Sequence, residues 1–195
     1  LTEAIFGSAA PRGRVGRERR LFASAITPDG FRNYMDTIFH PLRQRYIVRG
    51  HWGTGKSFIV AQLREQALAR GYDIESYFCA LDPHRIEHLV IPALGIGVIT
   101  SELPHTYEPR RDDVLIDTAQ VVNAQRLEEV REDVALAREM YGRAMELAIS
   151  WLARAKHLHD DIEKRYVGAM DFAAIDALRQ QLLQQVRRFT GTPVR

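Results

Sequence analysis

The sequence predicts an α/β protein: a mostly parallel sheet flanked by helices, as in P-loop NTPases, followed by a long C-terminal helical hairpin. Short β-prone runs alternate with helical patterns over the first 120 or so residues, a glycine-rich motif stands between one such run and a helix, and an apolar heptad pattern occupies the last third. We expect a tail or linker over residues 1–20, an α/β core over 21–122, and a hairpin over 123–195 packed on or extending from that core.

Composition narrows the class of protein. Of the 195 residues, 46% are hydrophobic and 27% are charged, which excludes a disordered or fibrous chain. The single cysteine, Cys79, excludes a disulfide framework and favours a reducing compartment. The longest apolar stretch, residues 89–99, is interrupted by Pro92 and is shorter than the roughly 20 residues of a membrane span. With no basic-then-apolar leader, we expect a soluble cytoplasmic protein that does not associate with a membrane.

Five arginines crowd into residues 11–20. Clustered guanidinium groups attract polyanions, so nucleic-acid binding is one interpretation. The other is a solvated linker held extended by its own charge. Glu18 interrupts the run and no aromatic residue lies within it, which favours the linker.

The first elements follow from short local signals. Residues 21–26 form a β-prone run. Thr27, Pro28 and Asp29 together are typical of a helix start, because threonine caps, proline suits the first helical position and an acid complements the helix dipole. The apolar spacing over 31–42 predicts a helix that stops near His40, just before Pro41.

A regular alternation of strands and helices comes next. Residues 45–49 predict a strand, and 58–70 predict a helix that Gly71 ends. Further strands are predicted over 74–80 and 95–100, with a possible fourth over 114–116. This order favours a parallel sheet with crossover helices.

Apolar residues then step by three and four from Leu127 to Leu158, which predicts one long helix. A second helix is predicted after Asp171, its N-cap, with Gly191 and Pro193 ending it. The two helices form either an antiparallel hairpin on their own domain or an intermolecular coiled coil, and the hairpin is favoured.

The motif that carries chemistry is Gly50-x-x-x-x-Gly55-Lys56-Ser57, the full pattern of a phosphate-binding P-loop. Its glycines let backbone amides turn inward around an anion, and the following helix directs its positive end to the same place. Lys56 is expected to reach the β- and γ-phosphates, and Ser57 to coordinate Mg²⁺. The residues predicted to bind ATP are Gly50, His51, Trp52, Gly53, Thr54, Gly55, Lys56, Ser57 and Phe58, with Trp52 beside or over the nucleotide.

Phosphoryl transfer also needs a carboxylate near the metal. Asp82, Glu102 and Asp117 each follow a predicted strand. We favour Asp82, as a catalytic residue with Lys56 and as a metal-binding residue with Ser57, because the first crossover strand of such sheets often ends beside the phosphates.

Histidines gather in two places, around His84 and His88 and around His157 and His159. Neither group offers the four donors that a structural zinc site needs. The second has the spacing that a polar helix end produces without any metal, so metal binding by histidine is the weaker interpretation.

The P-loop and its surroundings resemble a bacterial family of tandem P-loop ATPases. The resemblance rests on residues 21–30 and 46–57, continues through 155–163 and 169–172, and extends from about Leu21 to Val186. Members of that family have two similar halves, so the resemblance implies that this chain is the second half of a longer protein and that residues 11–20 link the halves. The other half, or another copy of the chain, is then the expected partner.

The expected function is an ATP- and Mg²⁺-binding P-loop NTPase domain. Because His51 and Trp52 replace the small or proline residues usual in the loop, we expect an ATPase that is slow or activated by a partner. One alternative is a small-molecule or nucleotide kinase in which the hairpin or Arg110 and Arg111 close over the acceptor. Another is a nucleotide-binding interaction module that does not hydrolyse.

Overall fold

The computed structural model describes residues 1–7 and 11–191. Its helices are α1 Thr2–Phe6, α2 Met35–Phe39, α3 Lys56–Ala69, α4 Ala124–Glu129, α5 Arg131–Val167 and α6 Phe172–Thr190. Its strands are β1 Glu18–Phe22, β2 Ser24–Thr27, β3 Gly30–Asn33, β4 Gln44–Arg49, β5 Ile74–Phe78, β6 Ile86–Ile91, β7 Ile96–Ser101 and β8 Val114–Asp117. The chain divides into two compact units, Leu1–Ser150 and Trp151–Arg195.

Six strands of the first unit form one sheet in the order β1-β5-β6-β7-β4-β8. The pairs β1–β5, β7–β4 and β4–β8 are parallel, whereas β6 runs antiparallel to both of its neighbours. The protein is therefore of the mixed α/β class, with a mostly parallel sheet and a long C-terminal helix, as the sequence predicts.

The core lies on both faces of this sheet. Along β4, Tyr46 and Val48 join one buried cluster and Ile47 joins the other, because successive strand residues point to opposite faces. Helix α3 packs against β5, β6 and β7 through Val60, Leu63 and Ala67, all buried. This packing fixes the start of α3 at the end of β4.

Strand β6 is absent from the sequence prediction. All six of its residues are buried, so it shows neither the alternation of a half-exposed strand nor a helical spacing. A 3₁₀ turn over Pro92–Leu94 leads directly into β7, and so short a connection makes the two strands antiparallel.

The N-terminal segment differs from the predicted tail. Ile5 and Phe6 of α1 are buried in the core, and β1 pairs with β5. Two of the arginines pair with acids far along the chain: Arg14 donates to Asp73 at 2.8 Å, and Arg19 donates to Glu75 at 2.8 Å. Residues 8–10 lie outside the described part of the chain. The arginine run therefore pairs with Asp73, just before β5, and with Glu75 within β5, and these ion pairs compensate part of the positive charge on which the polyanion interpretation rests.

The helix start predicted at Thr27 is wrong. Residues 27–30 are the turn of the β2–β3 hairpin, in which the Thr27 hydroxyl donates to the Gly30 carbonyl at 2.7 Å and accepts from the Asp29 amide at 3.2 Å. Gly30 has φ 98°, which a helix does not allow. Helix α2 is accordingly confined to Met35–Phe39, although it stops next to His40 as predicted.

Other predicted elements are confirmed. Strands β4, β5, β7 and β8 and helices α3 and α6 occur where the sequence places them. The Asp171 carboxylate caps α6 by accepting from the Ala173 amide at 3.0 Å and the Ala174 amide at 3.1 Å. Gly191 ends α6 in a left-handed conformation, whereas Pro193 lies outside the described residues.

The single helix predicted over Leu127 to Leu158 is two helices, since Val130 separates α4 from α5. Large side chains of the predicted seam are exposed, including Trp151 and Leu158. The boundary between the two compact units falls at Ser150 and Trp151, within α5. Within the described ranges, none of the helices has the length and hydrophobicity required to cross a membrane.

Candidate functional site

The glycine loop, residues 50–57, connects the carboxyl end of β4 to the first turn of α3. Gly50, Gly53 and Gly55 have φ values of 143°, 82° and 87°, which residues other than glycine rarely adopt. Gly55 precedes α3 directly, so the free amides of the first helical turn face the loop. Successive amides arranged in this way form a concave anion-binding surface.

Gly50 is also required by close packing. A Cβ at this position would lie 2.0 Å from the Thr118 hydroxyl oxygen and 2.7 Å from that of Thr54. These two hydroxyls lie 2.6 Å apart, and Thr118 donates to the Arg49 carbonyl at 2.8 Å. The contacts join the loop to the segment that follows β8.

Lys56 has three acceptors around its ammonium group. Its Nζ donates to the Gly50 carbonyl, to the His51 carbonyl at 2.7 Å and to Glu102 Oε2 at 2.6 Å. The side chains of Lys56 and Glu102 are only 12% and 17% exposed, so this charge pair is largely shielded from solvent. Lys56 therefore bridges the loop and the end of β7.

Ser57 lies in the first turn of α3, half-buried. Within the described part of the chain, its hydroxyl has no hydrogen-bond partner. A hydroxyl in this position is available to an incoming ligand or metal ion.

The three candidate acids occupy different places. Glu102 follows β7, which is next to β4 in the sheet, and its carboxylate pairs with Lys56. Asp117 instead caps the 3₁₀ turn after β8 by accepting from the Ala119 amide at 2.8 Å. Asp82 follows β5, three positions from β4, and accepts from the His84 amide at 3.1 Å. In the described residues, neither Lys56 nor Ser57 is a hydrogen-bond partner of Asp82, which we favoured from sequence.

A cavity of about 600 Å³, which we call the β7-side cavity, opens beside the loop. It is lined by Gly55, Lys56, Ser57 and Phe58 of the loop and α3, by Asp82 and Arg85 after β5, and by Glu102. Asp82 therefore shares a cavity with Lys56 without contacting it. Trp52, Gly53 and Tyr141 complete the side nearest α5.

Another part of this wall is a buried polar cluster that sequence reasoning missed. Glu87 Oε1 lies 3.2 Å from His105 Nε2, and Glu87 Oε2 lies 4.0 Å from His88 Nε2. His88 is fully buried and its Nδ1 accepts from the Thr100 amide at 3.2 Å. An acid and a histidine inside the otherwise apolar β6 were the available signal.

Burial and neighbouring charges act in opposite directions on this cluster. Burial lowers the pKa of His88 to about 4, against the attraction of Glu87. For Glu87, burial raises the pKa, but His105, His88 and Cys79 outweigh it and the pKa is lowered. The cluster therefore holds the ionised carboxylate of Glu87 beside the neutral imidazole of His88.

The histidine groups offer little to a metal. Ligand atoms of His159, Asp160 and Glu163 lie within 4.8 Å of one another on α5, but His159 and Glu163 are exposed. Lys156 already pairs with Asp160 at 2.5 Å, which satisfies the acid without a metal. This group has the character of a solvated helix surface.

Trp52 extends from the loop towards α5. Its ring packs edge-to-face on Tyr141, with 4.7 Å between the ring centroids, while 48% of the residue stays exposed. Burial raises the pKa of the Tyr141 phenol. The loop is thus in direct contact with the part of α5 that belongs to the first unit.

Arg110 and Arg111, which the sequence suggested as a lid, are placed apart from the loop. The Arg110 amide donates to Asp113 Oδ2 at 2.8 Å, and its side chain contacts His40. Neither arginine lines the β7-side cavity.

Comparison with known proteins identifies no relative. No protein-family model, curated protein or solved structure matches the chain. The resemblance to tandem P-loop ATPases is accordingly carried by the sequence motifs alone.

Proposed function

We propose that the chain binds a nucleoside triphosphate with Mg²⁺ on the glycine loop and hydrolyses it slowly, as a P-loop ATPase. The observation that carries the proposal is the conjunction of three positive-φ glycines with Lys56 at the N-terminus of a 14-residue helix. Such a loop offers amides, a helix dipole and one cation to the same anion. The P-loop sequence pattern supports the same ligand.

The residues around the loop also suit Mg²⁺. The Ser57 hydroxyl has no partner in the described residues, and Glu102 supplies a carboxylate at the edge of the sheet. Hard oxygen donors of this kind are what Mg²⁺ prefers, and it usually retains several waters. We assign the acid role to Glu102 in place of Asp82, because Glu102 lies after the strand next to β4. The metal would neutralise charge on the phosphates.

The arrangement of Lys56 supports slow turnover. Its ammonium must leave Glu102 and two loop carbonyls before it reaches a phosphate oxygen. Exchange of this shielded ion pair for a contact with phosphate has a free-energy cost, which reduces the stabilisation that Lys56 can give to the phosphoryl group as it is transferred. A partner that separates Lys56 from Glu102 would accelerate the reaction, which is the sense in which we propose activation.

The test compares Lys56→Ala with Lys164→Ala, a substitution of an exposed lysine on α5. By isothermal titration with ATP and Mg²⁺, Lys56→Ala should weaken binding about tenfold to a hundredfold, since a hydrogen bond to a charged group contributes roughly 1.5–3 kcal/mol. Lys164→Ala should bind as the unaltered chain does. Equal affinity of all three proteins for ATP would contradict the proposal.

A kinase is the second candidate, because Asp82 and Arg85 extend the β7-side cavity beyond the loop. A carboxylate and a guanidinium there would suit a hydroxyl-bearing acceptor. Phosphate release without any acceptor identifies the ATPase, whereas ADP formation that depends on an acceptor identifies the kinase. ATP binding without turnover under either condition identifies the interaction module.

A further inference from the structure

A second cavity lies on the other side of the glycine loop from Glu102. This β8-side cavity has a volume of about 980 Å³. The apolar and aromatic side chains that give it its character are Trp52, Val122, Leu127, Val134 and Tyr141.

The sheet order explains why the loop has a cavity on each side. Strand β4, which leads into the loop, lies between β7 and β8. The β7-side cavity contains Glu102, which follows β7, and the β8-side cavity contains Ala119, which follows β8. Trp52 and Gly53 of the loop line both cavities. A ligand that crosses the loop therefore passes from a charged surface to a mostly apolar one.

We propose that the β8-side cavity binds the purine base of the nucleotide whose phosphates lie on the glycine loop. The inference rests on the proposed function. A terminal phosphate beside Lys56 and Glu102 leaves the other end of the molecule to extend past Gly53, towards β8. This end carries the base, the flat and least charged part of a nucleotide.

Trp52 is the group on which the base stacks. The residue is 48% exposed, and the edge-to-face contact with Tyr141 at 4.7 Å holds the ring in place. Planar bases stack on aromatic side chains with a gain of roughly 1–3 kcal/mol, which corresponds to about fivefold to a hundredfold in affinity. Purines present a larger stacking face than pyrimidines.

The charged groups of the cavity favour no particular purine. Glu128 and Arg131 pair with each other at 3.2 Å, with about 70% of each side chain exposed, and Arg138 is also exposed. Exposed flexible side chains discriminate weakly between donor and acceptor patterns on a base edge. We therefore expect ATP and GTP to bind within about fivefold of each other and CTP to bind more weakly.

The experiment separates the base from the phosphates. The chain is titrated calorimetrically with Mg²⁺ and tripolyphosphate, ATP, GTP or CTP, and the titrations are repeated with Val134→Asp. Val134 lines the cavity and is partly buried. The matched control is Leu136→Asp, at an exposed position of the same helix that does not line the cavity.

In the unaltered chain, ATP should bind about tenfold or more tightly than tripolyphosphate. Val134→Asp should weaken ATP at least tenfold while leaving tripolyphosphate within twofold, and Leu136→Asp should change neither. The base site is overturned if ATP binds no better than tripolyphosphate, or if Val134→Asp weakens both ligands equally or neither.

The same variant tests other occupants. If a second copy of the chain fills the cavity, Val134→Asp lowers the sedimentation mass without selectively weakening ATP, and the base site is overturned. If tripolyphosphate and ATP both fail to bind the unaltered chain, the proposed function falls and the base site with it. Tripolyphosphate binding with no additional affinity for ATP overturns the base site alone.

Discussion

The sheet of the first unit and the helix α6 of the second are both rich in apolar residues, yet they bury them differently. In β6 and β7 all residues are buried. In α6, Ile175, Leu178 and Phe189 are exposed. Apolar content therefore does not by itself indicate burial. In the sheet, neighbouring strands and α3 cover the side chains. The apolar face of an amphipathic helix stays exposed unless another element packs against it.

This difference predicts that two residues of the same type respond very differently to substitution, according to their surroundings. The chain offers three matched pairs of residues, one pair for each of three residue types. In each pair, one member lies in or beside the sheet and the other lies on α5. The isoleucines, histidines and glycines below are ordered by the size of the expected effect.

The isoleucine pair is Ile99 in β7, fully buried, and Ile162 in α5, 56% exposed. Ile99→Ala should lower the free energy of unfolding by about 2–5 kcal/mol, because it removes apolar contacts and leaves a cavity. Ile162→Ala should change it by less than about 0.5 kcal/mol. Urea unfolding of both variants measures the difference. A large loss at Ile162 would mean that this face of α5 is covered in solution.

The histidine pair is His88, fully buried with its pKa lowered to about 4, and the exposed His159. Between pH 6.5 and pH 4 the unfolded chain binds a proton at His88 that the folded chain does not. Stability from neutral His88 is therefore complete above pH 6.5 and is lost as the pH falls towards 4, by at most about 3 kcal/mol. Urea unfolding at pH 7 and pH 4.5 should show a smaller acid loss for His88→Gln than for His159→Gln.

If both histidine variants lose the same stability on acidification, His88 does not titrate as a buried group. The two variants share all carboxylates, and the ones whose pKa responds to the substituted histidines are Glu87 beside His88 and Asp160 beside His159. Glu87 and His105 are the titratable neighbours of His88, so their substitution should alter the same slope.

The glycine pair is Gly50 in the loop, at φ 143°, and Gly142 in α5. Gly50→Ala should cost about 1–3 kcal/mol, because the new Cβ meets the Thr118 hydroxyl and the backbone conformation is unfavourable. A Cβ at position 142 has no neighbouring atom within 4 Å, so Gly142→Ala should stabilise the helix by roughly 0.5–1 kcal/mol. Thermal unfolding gives the two signs. A stabilising Gly50→Ala would show that the loop relaxes away from Thr118.

Several elements were predictable because their signals are local. The spacing of Gly50, Gly55 and Lys56 between a β-prone run and a helical run specifies a strand, a loop and a helix within about 25 residues. The Asp171 cap of α6 depends only on the two amides that follow it. Such features need no knowledge of distant residues.

Other features depend on contacts across the chain. The signal at Thr27 and Pro28 suits a helix start or a hairpin turn, and pairing of β2 with β3 decides for the turn. The arginines of residues 11–20 look like a free charged arm until Asp73 and Glu75 are placed beside them. The buried strand β6 carries no periodicity, so its neighbours define it.

By itself, the order of residues determined the α/β class, the glycine loop and the helix behind it, because backbone conformation and hydrophobic spacing act over a few residues. Only the tertiary structure decided which acid stands beside Lys56. Asp82 and Glu102 both follow strands, but the sheet order puts β7 next to β4 and β5 farther away. Strand order arises from packing between distant segments, and no local pattern in the chain encodes it directly.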